Sequence, residues 1–200
     1  MNDPIFSRPY PRSLSLGKAS VDIRPMTATN AGAFGLFIQN MPEHDLLFVR
    51  RDIRHPKVIA AWMDALEHKR FVSLAAWEDG EMVGCGAIVT DPLSWSPQVG
   101  ELRVLIAPHW RGRGLGRALI QECFAIALGF GLEKLTVQMT VDQVAAIALF
   151  EELGFSAEAV LRNHVKDREG NVHDMALLSH DVAEVQARMQ TYGIQQALER

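Results

Sequence analysis

The segment Arg111-Gly112-Arg113-Gly114-Leu115-Gly116-Arg117 interleaves three guanidinium groups with three glycines, directly after the largely apolar run Val104-Leu105-Ile106-Ala107-Pro108-His109-Trp110. Glycine has no Cβ, so backbone N–H groups can close on an anion. From Gly114 the pattern turns helical: Leu115, Leu119, Cys123 and Ile126 recur at three- and four-residue spacing, while Arg117, Gln121 and Glu122 fall elsewhere. The first turn of a helix leaves N–H donors unpaired and carries partial positive charge. Strand, basic glycine loop and helix mouth together make a cradle for a diphosphate. A tight strand-to-helix turn with solvated arginines is the plainer alternative, but it does not explain three arginines set among the glycines. Two familiar nucleotide loops fit poorly. There is no P-loop Lys-Ser/Thr pair, and no three-glycine dinucleotide fingerprint follows an N-terminal strand.

Those residues need a scaffold. A short alternating run at 21–24 reads as a first strand ending at Pro25, and Thr27 or Thr29 can cap a helix through Ala33, Leu36 and Phe37. Val58, Ile59, Trp62 and Leu66 line one face of a second helix at 56–67. Between the helices, residues 41–55 are charge-rich, with Asp45, Arg50, Arg51, Asp52 and Arg54, and yield no assignment. Apolar runs at 71–77 and 82–89 joined through Asp79-Gly80 predict a hairpin. A proline-marked loop at 91–98 then leads to a strand at 100–107. Leu135, Val137 and Met139 alternate with polar residues as a half-exposed strand does. Asp142 can cap a following helix that ends at Gly154, and 157–165 with 172–179 predict a second hairpin. The order is α/β (α+β): one mixed central sheet with flanking helices and little room for a second domain. The expected organisation is a loose N-terminal extension at 1–18, a single domain at 19–181 and an amphipathic helical tail at 182–200.

Composition narrows the function classes. With 200 residues, 48% apolar and 22% charged, the chain has the ordinary mix for one buried core. A formal net charge of -4 argues against non-specific nucleic-acid binding, which needs a basic footprint. The two cysteines, Cys85 and Cys123, each sit in an apolar pattern, which predicts neither a disulfide framework nor a metal set. No apolar stretch approaches the roughly 20 residues a membrane span requires. The cytoplasm is the expected compartment.

The motif itself resembles that of the GNAT superfamily of N-acetyltransferases. The family's acetyl-CoA motif is Arg or Gln, two residues, Gly, one residue, then Gly or Ala; Arg111, Gly114 and Gly116 match it in register. A second family segment, a helix ending in Leu-Gly-Phe, is similar to 143–155, with Ala146, Leu149, Phe150, Leu153, Gly154 and Phe155. The resemblance covers most of 21–181 and implies a seven-stranded sheet whose strands 100–107 and 134–140 splay apart. It implies acetyl-CoA as co-substrate, with no metal. The backbone of Val104, Leu105 and Ile106 would pair with the pantetheine amides, and the amides of Gly112, Arg113, Gly114, Leu115, Gly116 and Arg117, with Arg111, would hold the diphosphate. Gln143 stands where the family often has an Asn on the cofactor arm. Phe150 stands where it often has the Tyr that protonates the thiolate, and Phe has no proton to give.

Amide formation needs a base for the amine. Glu101 is the expected candidate, because this strand often carries the base in the family; a structural Glu101–Arg103 ion pair is the alternative. Gln138 stands where some relatives carry a glutamate, and it cannot serve as a base. His164, Asp167, His173 and Asp174 cluster on the last hairpin, either as substrate contacts or base, or more simply as turn and surface residues. His109 reads as a solvated loop histidine, and Trp95, Trp110, Asp45 and Arg50 as candidate pocket walls. The expected activity is transfer of an acetyl group to a primary amine of a small molecule or amino acid. A protein N-terminus or lysine as acceptor, and a silent acyl-CoA-binding module, are the alternatives. The expected partners exclude nucleic acid and membrane, and the oligomeric state, a homodimer included, is left open.

Overall fold

The computed structural model describes residues 8–17, 19–49, 51–68 and 71–183. Its elements are β1 (Arg12–Leu16), β2 (Ala19–Pro25), α1 (Ala31–Gln39), α2 (Pro56–Glu67), β3 (Phe71–Glu78), β4 (Glu81–Val89), β5 (Val99–Ile106), α3 (Leu115–Gly129), β6 (Lys134–Thr140), α4 (Val144–Glu152), β7 (Ser156–Lys166) and β8 (Val172–Asp181). Among the described residues the strands form one sheet in the order β1-β2-β3-β4-β5-β6-β8-β7. Every neighbouring pair is antiparallel except β5 and β6. The α+β class and the mostly antiparallel sheet agree with the sequence reading.

The parallel pair is what matters for function. β5 and β6 are in register only at Val99↔Lys134, Gly100↔Leu135 and Glu101↔Thr136. Beyond that point β5 stays paired to β4, and β6 to β8, but not to each other. The sheet therefore opens between 102–106 and 137–140.

α3 is seated close to the sheet, which fixes where its N-terminus lies. Gly86 on β4 allows this: a Cβ there would stand 2.9 Å from Cys123 Sγ on the helix. Leu115, Leu119, Ile120, Cys123 and Ile126 of α3 are all buried against the strands. Both cysteines are free and buried; burial pushes the Cys85 thiol up to about 12 and raises that of Cys123 as well. No described helix is long and apolar enough to cross a membrane.

The N-terminal segment departs from the loose extension expected for it. Arg12–Leu16 pairs with β2 from Arg12↔Ile23 to Leu16↔Ala19, making an eighth strand at the sheet edge. The anchor is Glu122 of α3, which is buried, not on the exposed face its spacing implied. Its carboxylate accepts hydrogen bonds from Arg8 Nη1 (2.8 Å), Arg12 Nη1 (2.9 Å) and the Tyr10 hydroxyl (2.7 Å). A buried carboxylate persists when it is paired and hydrogen-bonded, and these three groups do both. The predicted helical tail lies outside the described residues beyond Ala183.

Tyr10 carries a pH consequence. Burial first, then the hydrogen bond and charge of Glu122, raise its phenol above the usual range. A raised folded value favours the neutral phenol, so its stabilisation is complete below about pH 10 and is lost as pH climbs through the folded value. Tyr10→Phe is expected to lose about 1 kcal/mol at neutral pH, discounted for partial exposure, and to flatten the alkaline decline. Urea unfolding at neutral and strongly alkaline pH measures both.

Candidate active site

At the end of β5 the chain makes one 3-10 turn, Pro108–Trp110, before the glycine loop. Trp110 is fully buried, its indole N–H donates to Glu78 Oε2 (2.8 Å), and the Arg113 guanidinium lies 5.1 Å from its ring centre. Trp110 thus anchors the loop in the core and, as expected, also lines the cleft beside it. Gly114 takes the N-cap of α3 with φ of 88°, a left-handed conformation that favours glycine, and no side chain caps the helix. The first-turn N–H groups are left for an anion. Space beside Gly112 is open, since a Cβ there would meet no atom within 4 Å.

The loop forms one end of a cleft of about 600 Å³ that continues between the diverging strands. Of the residues expected to hold the acyl donor, Val104, Leu105, Ile106, Arg111, Gly112, Gly114, Gly116, Arg117, Gln143 and Phe150 all line this cleft. Arg113 and Leu115 do not: Arg113 turns onto Trp110, and Leu115 is packed in the core. Successive loop residues point in different directions, so only some side chains of a contiguous motif can face a ligand. Phe150 is buried, with its ring 5.0 Å from that of Phe155. Across the cleft stand Val137, Gln138 and Met139 of β6.

Residues 41–55, unassigned from sequence, cross this opening as a strap with a 3-10 turn at Glu43–Leu46. Asp45 forms an ion pair with Arg111 and lies 3.4 Å from Gln143 Nε2, so one carboxylate engages two of the predicted binding residues. Glu43 pairs with Arg54 (3.4 Å) and accepts from the backbone N–H of Arg168 (2.9 Å). Asp52 also binds Arg168, whose hydrogen bond, opposed by burial, lowers the carboxyl below its usual range. The excess of charged residues in this strap was the only sequence signal of its role. Arg50 lies outside the described residues.

A second cavity of about 690 Å³ lies between the strap and the β7–β8 hairpin, lined among others by Glu43, Arg54, Leu161, His164, Asp167 and Met175. It meets the cleft at Phe48 and Gln138, which line both. His164 is exposed and Asp167 accepts from Asn171 across the hairpin turn, as the simpler expectation of turn and surface residues has it, and both also line this cavity. His109 is exposed, as expected, and Trp95 is fully solvent-exposed, at 102%, and walls no pocket. Glu101 lines neither space. It accepts both Arg103 Nε (2.8 Å) and Nη2 (3.1 Å), at the closed end of the strand pair where Glu101↔Thr136 is still in register. The bidentate pair favours the structural alternative for it. Among the described residues no three His, Cys, Asp or Glu side chains gather as metal ligands would.

The profile of the acetyltransferase (GNAT) family matches residues 37–155. The curated relative named IAA acetyltransferase from Azospirillum brasilense is 35% identical over 83 residues, 42% of this chain and 53% of that one. The [ribosomal protein bS18]-alanine N-acetyltransferase of Escherichia coli K12 is 31% identical over 67 residues, 34% of this chain and 45% of that one. The chain thus spans about half the length of these curated relatives. In fold it is similar to a phosphinothricin acetyltransferase from Sinorhizobium meliloti solved in complex with AcCoA, with a TM-score of 0.70 at 16% identity, covering 82% of this chain and 89% of that one. The chain belongs to the acetyltransferase (GNAT) family.

Proposed function

We propose that this chain is an acetyl-CoA-dependent N-acetyltransferase that acts on a primary amine of a small molecule or amino acid. The observation that carries this reading is the end of the β5–β6 ladder at Glu101↔Thr136, which opens a cleft terminating on the uncapped mouth of α3. Main-chain N–H groups of 112–117 would hold a diphosphate there, with Arg111 and Arg117 adding charge. The free edge of β5 at Val104 to Ile106 would accept the pantetheine arm as an added strand. When bound, acetyl-CoA supplies an activated acyl group and a thiol leaving group. The chain's part is to hold the thioester near Phe48 and Gln138, where the two cavities join, and to exclude water with Leu102, Val137 and Phe150.

The second cavity, bounded by strap and hairpin, is the acceptor side in this reading. Its volume of about 690 Å³ would accommodate a small amine. Two free, buried thiols support a reducing compartment such as the cytoplasm.

The test is release of free thiol from acetyl-CoA, run against an amine and amino-acid panel, a peptide panel and a no-acceptor control. Turnover with small amines is expected. Turnover with peptides alone would move the acceptor assignment to protein amino groups. Binding of acetyl-CoA without thiol release on either panel would leave an acyl-CoA-binding module.

A further inference from the structure

Amine acetylation requires the nitrogen to lose a proton, yet the junction of the two cavities offers Gln138, an amide, and beside it in the cleft Phe150, a hydrocarbon. Titratable groups lie a short way along the same sheet face. Two residues on from Gln138, Thr140 Oγ1 is 2.9 Å from His44 Nε2, which is also 3.0 Å from Asp142 Oδ2. The His44 ring stands edge-on to His173, with 5.1 Å between centroids. His173 Nε2 in turn lies 3.0 Å from Asp167 Oδ2. His173 shares its face of β8 with Met175, two residues on, and with its cross-strand partner Val165, and both of those line the acceptor cavity.

The four side chains lie in a row, each Asp hydrogen-bonded to its His and the two imidazole rings in edge-on contact. Asp167 opens on the acceptor cavity at one end, and Asp142, 61% exposed, meets solvent at the other. Hydrogen bonds from His173 and Asn171 hold the Asp167 carboxyl at about 2, so it is ionised at neutral pH and can balance an imidazolium. Burial opposes ionisation of Asp142, but hydrogen bonds with Thr140 and His44 outweigh it and lower its carboxyl too. The other charged neighbour on the strap, Glu43, is already engaged by Arg54 and Arg168, while Asp174 accepts from the Asn163 backbone N–H.

We propose that His173, oriented by Asp167 and edge-on to His44, accepts the proton of the acceptor amine through a water in the cavity that its neighbours Val165 and Met175 line. The inference rests on the transferase reading above. The amine nitrogen forms the C–N bond to the acetyl carbon, the C–S bond breaks, the nitrogen gives one proton to His173, and the sulfur takes one from water. His173 then returns its proton to solvent. His44 is a positioning residue in this scheme.

The test compares wild type with His173→Asn and His44→Asn, using acetyl-CoA and the fastest amine of the panel across pH. His173→Asn is expected to lower kcat about 100-fold or more at neutral pH and to remove the acid limb of the profile, with the calorimetric Kd for acetyl-CoA unchanged. His44→Asn is expected to displace that limb with a smaller loss of kcat. Independently of activity, Asp167→Asn is expected to change the NMR ring-nitrogen shifts of His173 in the free protein, because Nε2 loses its carboxylate partner. A wild-type kcat and pH profile in folded His173→Asn would overturn the proposal while leaving the transferase reading intact. Unchanged His173 ring-nitrogen shifts would overturn the pairing with Asp167. No thiol release by wild type with any acceptor would overturn the reading and the proposal together.

Discussion

Gly114→Glu is expected to weaken acetyl-CoA binding at least about 100-fold while leaving the protein folded. The backbone argument sets the cost to the fold: a φ of 88° costs an L-residue about 1–2 kcal/mol. Space is not limiting, because a Cβ at Gly114 would meet its nearest neighbour, Leu16 Cδ2, at an ordinary 3.8 Å. A carboxylate at a helix N-terminus also returns about 0.3–1 kcal/mol through the helix dipole. Binding suffers far more than folding. The new anion takes up the same N–H donors and repels the diphosphate, at about 4 kcal/mol for like charges 4 Å apart near a protein surface. Gly114→Ala supplies the strain without the charge and is expected to keep affinity within about tenfold. Calorimetry on both variants separates the two effects; undiminished affinity in folded Gly114→Glu would remove the cradle from this loop.

Trp110→Ala is expected to produce the largest loss of stability, about 3–5 kcal/mol from the cavity left by a fully buried indole. Glu78 also loses its indole donor, and Arg113 loses the ring it covers, each worth about 1 kcal/mol. For a chain of this size each kcal/mol lowers Tm by about 2–4 °C, so a fall of roughly 6–20 °C follows. Against a total stability of about 5–15 kcal/mol, the variant stands near the limit of folding. Trp110→Phe keeps most of the bulk and is expected to lose only about 1–2 kcal/mol, chiefly through the hydrogen bond to Glu78. Because Trp110 sets where the glycine loop begins, acetyl-CoA should rescue Trp110→Ala less than it rescues Trp110→Phe. Thermal scans with and without acetyl-CoA measure this. An unchanged Tm in Trp110→Ala would show that the loop is anchored elsewhere.

The phosphate loop was legible because everything that defines it is local. A strand period, three glycines and a helical period follow one another within 104–129, and each is set by neighbours a few residues away. Even there, the direction of individual side chains was not. Arg113 turns away onto Trp110 and Glu78's neighbourhood while Arg111 faces the cleft, a difference set by backbone angles at Gly112 and Gly114.

β1 was missed because Arg12–Leu16, although it alternates, is only five residues long and follows a proline-rich stretch, and the group that holds it, Glu122, lies 110 residues further along the chain than Arg12. Glu101 shows the same limit from the other side. Strand alternation placed it correctly with Arg103, but the point at which the parallel ladder ends is a property of two strands and of the helix wedged against them. It lies one step beyond Glu101, which leaves that residue in the closed part of the sheet.

The sequence by itself determined the order of elements from β2 onward, the mixed sheet and the glycine loop that opens onto α3, since short-range periodicity and glycine placement decide these. Only the tertiary structure decided which face of the strap meets Arg111, that His44 and His173 stand ring to ring, and that Gln138 marks the junction of two cavities. Those contacts join residues about 65 to 130 positions apart, and no local preference specifies them; they follow from where the packed sheet and helices carry each side chain.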